Sequence, residues 1–86
     1  MIDEITIRQN IHQELEVELN KFQEYIKTKV DKVLAEAQLE KVIAKLSQAL
    51  YLDLSVVNSK ESKEKLLKNF EDSLVQLSLI LKEVYG

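Results

Sequence analysis

The sequence predicts an all-α fold, and three observations carry that prediction. The chain of 86 residues contains no proline. Its single glycine is the terminal Gly86. Proline and glycine punctuate turns and helix ends, so a fold of many short strands joined by tight turns has little material here. Apolar residues also recur at intervals of three and four, the period of an amphipathic helix. The expected architecture is a long helix over about residues 4–57, a turn at 58–62 and a shorter antiparallel helix over about 60–85. Two such helical hairpins are expected to pair into a dimeric helical bundle. The alternative is a closed three-helix bundle monomer with a break near residues 36–39.

The first apolar stripe is Ile11, Leu15, Leu19, Phe22, Ile26, Val30, Val33 and Ala37. Its steps of four, four and three make an eleven-residue repeat, which keeps a stripe nearly straight along a helix. Asp3 is placed to cap the start, where a carboxylate accepts from free backbone amides and meets the positive end of the helix dipole.

A second stripe follows at Leu39, Val42, Ile43, Leu46, Leu50, Leu54 and Val57. At about 100° per residue it lies on the order of 130° around the helix from the first. The phase changes between Ala37 and Leu39. Ala35-Glu36-Ala37-Gln38 offers good helix formers and no turn residue there, so continuity is the expectation. A rival local pattern exists. Glu4 to Arg8 and Leu50 to Val56 alternate apolar and polar residues, as two short strands pairing into a small ribbon do.

The third element begins after Asn58-Ser59-Lys60-Glu61-Ser62. Asn58 and Ser59 are both cap candidates, Asn58 having capping-box spacing to Glu61. Leu67, Phe70, Leu74, Leu77, Leu81 and Val84 then form a heptad seam, as in a coiled coil. Glu61 with Lys65 and Glu64 with Lys68 have the spacing of favourable ion pairs along a helix. Truncating Leu77 to alanine is expected to cost about 2–5 kcal/mol, and a change within error would mean that the seam is misassigned.

Composition narrows the function. There is no cysteine, so no disulfide supplements the thin core that a domain of this size can build. Self-association is the remaining supplement. The N-terminal residues lack the basic segment and apolar run of a signal peptide, and no uncharged run approaches the roughly 20 residues that cross a bilayer. The expected location is therefore cytoplasmic, with no membrane span. The formal net charge of −3 argues against a nucleic-acid binder. The charge is uneven, however. Residues 1–20 carry Asp3, Glu4, Glu14, Glu16 and Glu18 against Arg8, and residues 21–32 carry Lys21, Lys27, Lys29 and Lys32 against Glu24 and Asp31. That asymmetry suits antiparallel self-pairing or a charged partner.

Chemistry has few candidates. His12 and Glu16 share a helix face at ligand-like spacing, but zinc normally takes at least three protein ligands. The serines stand far in sequence from the one histidine, and no glycine-rich loop is present to cradle a phosphate. No catalytic, metal or cofactor residue is assigned, and no cofactor is expected. The residues singled out are Leu52, Val56, Val75 and Leu79, which lie off the two seams. A helix apolar on two sides is usually covered on two sides. These four residues are the expected partner interface of a non-catalytic interaction module, binding another copy of itself or another protein. In length, acidity and helical content the chain is similar to bacterial helical immunity proteins and small secretion chaperones. That likeness is one of size and class, with no shared motif. A nucleic-acid-associated regulator using the Lys21–Lys32 face is the further alternative.

Overall fold

A computed structural model describes residues 4–86 of the chain. Three helices of nearly equal length follow one another: α1 (Glu4–Thr28), α2 (Lys32–Val56) and α3 (Lys60–Tyr85). The all-α expectation is met. Residues 4–8 and 50–56 lie inside α1 and α2, and no strand occurs among the described residues. A five-residue alternation cannot compete with a helix that buries its stripe over seven turns. The capping role expected of Asp3 falls outside the described residues.

The long first helix is not continuous. Contrary to the expected continuity, it breaks at residues 29–31, about seven residues before the place given by the three-helix alternative. Lys29 adopts a left-handed conformation with φ 52°. Its amide donates to the Ile26 carbonyl, and the Val30 amide donates to the Tyr25 carbonyl, both at 3.2 Å. This pair of bonds is a Schellman motif, which satisfies carbonyls left free at a helix end. Lysine here occupies the position that glycine usually fills. Asp31 is then extended and precedes α2, without a side-chain cap bond. Residues 36–39 instead lie within α2, where Gln38 and Leu39 are buried. The phase difference between the two stripes is real, but it marks a chain reversal rather than one helix with two covered faces. Val33 and Ala37, which extend the first stripe, fall on α2 and are exposed, Val33 by 77%.

The second turn is short, covering residues 57–59. Ser59 is the cap: its hydroxyl accepts from the Ser62 amide at 3.3 Å. The Glu61–Lys65 and Glu64–Lys68 pairs do not close to ion-pair distance. Among the described residues the ion pair at that spacing is Lys32–Glu36, at 4.0 Å.

The core is small. Phe22, Leu39 and Val42 form its buried centre, with Leu15, Leu19, Ile26, Ile43, Leu77 and Leu81 packed around them. Ala35 and Ala49 are also buried, on the same side of α2 as Val42, where small side chains let a neighbouring helix approach closely. Gln38 is the buried polar residue. Its amide donates to the Glu18 carbonyl at 2.9 Å and to the Glu18 carboxylate at 2.6 Å, which ties α2 to α1 without leaving a polar group unmet.

α2 packs against both other helices, chiefly α1, and α3 has no fully buried residue. On α3 the seam is half-buried from Phe70 to Val84. Leu67 stands out from it at 45% exposure, and Leu66 takes its place. The molecule is a slab of 41 × 31 × 15 Å with a radius of gyration of 14.5 Å. A compact domain of this length has a radius near 12 Å. The thin core and the flat shape have one cause: three long helices with a single shared layer of contacts leave much of each helix surface uncovered.

Candidate functional site

The four residues singled out in the sequence fall in different places. Val75 and Leu79 stand on the outer face of α3, 58% and 50% exposed. With Leu74, Ser78 and Lys82 they line a shallow trough made by α3 alone. Leu52 belongs to a second patch, between the start of α1 and the end of α2, with Ile7, Ile11, Ser47, Gln48 and Tyr51. Tyr51 is 75% exposed there, while Leu52 is half-buried. Val56 closes α2 and lines neither patch.

Tyr51, Ile7 and Ile11 had no role as interface residues in the sequence reading. The signal was the position of Tyr51 on the side of α2 opposite Val42 and Leu46, which is legible once a helix is assumed. Ile7 fell within the segment that also read as a strand.

Between the helices run two further clefts. One lies where Leu19, Phe22 and Ile26 of α1 face Leu77 and Ile80 of α3. The other, nearer the start of α1, is walled by Leu15, Leu46, Leu50, Leu66 and Phe70, with His12, Asp53, Asn69 and Ser73 at its polar edge.

The polar edge is built on Asp53. Its Oδ1 accepts from Arg8 Nη2 at 2.9 Å and Nε at 3.2 Å. His12 Nε2 lies 3.3 Å from the same oxygen and donates to it when that nitrogen carries the proton. The histidine thus faces Asp53 across the α1–α2 interface, and Glu16 is not its partner. Asp53 is an ion-pair anchor, with its near oxygen already filled by the guanidinium. Ser73 lines the same cleft, yet among the described residues no hydrogen bond joins it to His12. Among the described residues no group of three or more His, Asp or Glu side chains is arranged to hold a metal ion.

The acidic half of α1 is partly matched within the chain. Glu14 meets Lys45 at 2.7 Å, and the Glu18 carboxylate meets Gln38. Lys21, Lys27, Lys29 and Lys32 are exposed around the α1–α2 turn, interleaved with exposed Glu24 and Asp31. No helix among the described residues is long and apolar enough to cross a membrane.

The arrangement therefore offers hydrophobic contact area on helical faces, with Lys82 at the edge of the α3 trough. Compared with protein-family models, curated proteins and solved structures, the chain matches none of them.

Proposed function

We propose that this chain is a non-catalytic protein-interaction module that works by presenting apolar helical faces. One observation supports the reading above others. Large apolar side chains remain exposed in patches on helices whose inner faces are already packed: Val75 and Leu79 on α3, Ile7 and Tyr51 across α1 and α2. Isolated exposed apolar residues need no explanation, whereas contiguous patches mark contact sites. The mechanism is helix packing, in which apolar anchors three and four residues apart meet a complementary helix or groove.

The α1–α2 patch provides the test. A chain carrying Ile7→Lys and Tyr51→Lys changes two exposed positions and is expected to keep the wild-type helical content by circular dichroism. Immobilised wild-type chain is expected to retain a protein from extract of its native host that this variant does not retain. Equal retention by both chains removes the patch from the proposal. Binding to DNA or RNA that survives roughly 200 mM salt, where nonspecific phosphate contacts weaken steeply, replaces the proposal with the nucleic-acid reading.

A further inference from the structure

We infer that α3 pairs antiparallel with α3 of a second copy of this chain, about a two-fold axis between the levels of Gln76 and Leu77. The inference rests on reading the outer face of α3 as an interaction surface, and it names the occupant of that face.

At about 100° per residue, Glu71, Leu74, Val75, Ser78, Leu79 and Lys82 fall within one sector of about 140° on α3. Apart from Leu74, which borders the half-buried seam, that sector is turned away from the side carrying Leu66, Phe70, Leu77, Leu81 and Val84. Leu74, Val75, Ser78, Leu79 and Lys82 line the trough already described. Leu74 is half-buried at its margin, and the others are exposed. Neither Glu71 nor Lys82 has an ion-pair partner among the described residues.

The sector is self-complementary. Glu71 and Lys82 have their midpoint between residues 76 and 77. So do Leu74 and Leu79, and so do Val75 and Ser78. A closed two-fold contact requires this relation: where one residue meets another across the axis, the reciprocal contact forms as well. Antiparallel pairing about that midpoint sets Glu71 opposite the partner's Lys82 and Leu74 opposite the partner's Leu79. Val75 then faces the partner's Ser78, and each contact occurs twice. The apolar residues fill the middle, a charge pair closes each end, and Ser78 is small enough to let the helices approach to 8–10 Å between axes.

Charge also selects the direction. A parallel two-fold pairing sets Glu71 against the partner's Glu71 and Lys82 against the partner's Lys82, and like charges facing each other oppose it. The position of α3 leaves the face accessible, since no residue of this helix is fully buried. A contact through one helix is smaller than the roughly 800 Å² per partner of a standard stable interface. The dimer is therefore concentration-dependent rather than permanent.

Analytical ultracentrifugation of the full chain between roughly 10 µM and 1 mM tests the pairing. The wild type is expected to shift from monomer to dimer across that range. Glu71→Lys alone and Lys82→Glu alone place like charges at both ends, so each is expected to weaken self-association about tenfold or more. An equimolar mixture of the Glu71→Lys chain and the Lys82→Glu chain restores opposite charges at both ends and is expected to associate as a heterodimer. Circular dichroism on each variant checks that the fold is retained.

A wild type that stays monomeric at the highest concentration overturns the pairing. So does a dimer that both single variants form equally well, or a heterologous partner that occupies the face while the chain alone does not associate. None of these results alters retention at the Ile7 and Tyr51 patch, so the two proposals fail separately.

Discussion

Tyr85, in the last turn of α3, donates its phenol hydrogen to the backbone carbonyl of Val30, in the link between α1 and α2. The bond joins residues 55 apart in sequence and fastens the last turn of α3 to the turn that reverses the chain. α3 has no buried side chain to hold that end, so one hydrogen bond matters more here than in a deep core. Tyr85→Phe keeps the ring and removes the donor. A net loss of about 1 kcal/mol is expected, measured by urea unfolding. Amide exchange in the final turns of α3 should quicken more than exchange in α1, because the lost contact is local to that end.

Arg8 and Asp53 fix the opposite end of the α1–α2 pair. Both donors of Arg8 converge on one carboxylate oxygen, and the Asp53 side chain is 19% exposed. Charge-assisted bonds of this kind exceed neutral ones in strength, although the 35% exposure of Arg8 weakens the pair by screening. Asp53→Ala is expected to destabilise the fold by about 1–2 kcal/mol, and Arg8→Ala by about half that. In a double-mutant cycle the two changes should fall short of additivity. Additive effects at low salt would show that the pair contributes nothing measurable.

The position of the core yields a sharper contrast. Phe22 is 1% exposed and sits at the centre of the buried cluster, whereas Leu77 is half-buried at its edge. Phe22→Ala is expected to cost about 3–5 kcal/mol, enough to unfold much of so small a domain. Leu77→Ala is expected to cost about 1–2 kcal/mol, less than the seam on α3 alone predicts, because a half-buried side chain returns less area to water. Chemical unfolding of both variants checks the ranking. Equal losses would mean that α3 packs more deeply than the slab shape allows.

Lys29 holds the left-handed residue of the first turn. A side chain with a Cβ is disfavoured there by roughly 1–2 kcal/mol, and glycine is not. Lys29→Gly is expected to raise stability by about 0.5–1 kcal/mol, the relief being partly offset by the greater freedom of glycine in the unfolded chain. A higher thermal midpoint with unchanged helical content is the expected reading. A lower midpoint would mean that the lysine side chain stabilises the turn in some way its exposed position does not reveal.

The three helices were unequally legible. The second stripe gave the inner face of α2 correctly: Leu39 and Val42 are buried, Ile43, Leu46, Leu50 and Leu54 are half-buried, and Val57, half-buried too, lies just past its end. Ser59 was legible as a cap because its hydroxyl has an amide to accept from, three residues on, when the chain turns into a helix. The exposure of Val75 and Leu79 on one face of α3 was legible, because on a regular helix two off-seam apolar residues four apart lie side by side. Buried Ala35, Gln38 and Ala49 were not, since small or polar side chains contribute little to an apolar pattern. Nor was the meeting of His12 and Arg8 with Asp53, whose sequence separations are 41 and 45.

By itself the sequence determined that the chain is helical, that its helices carry more apolar surface than one seam each, and where the last helix starts. Those properties follow from spacing, capping and the lack of glycine and proline, all of which act over a few residues. Only the tertiary structure decided that the first apolar stripe reverses at Lys29. No residue there compels a turn, and the left-handed lysine costs on the order of 1 kcal/mol locally. Folding α2 back buries Phe22, Leu39 and Val42 together, an apolar gain of several kcal/mol that a straight helix cannot reach. A reversal chosen by that long-range gain leaves almost no mark on the residues that make it.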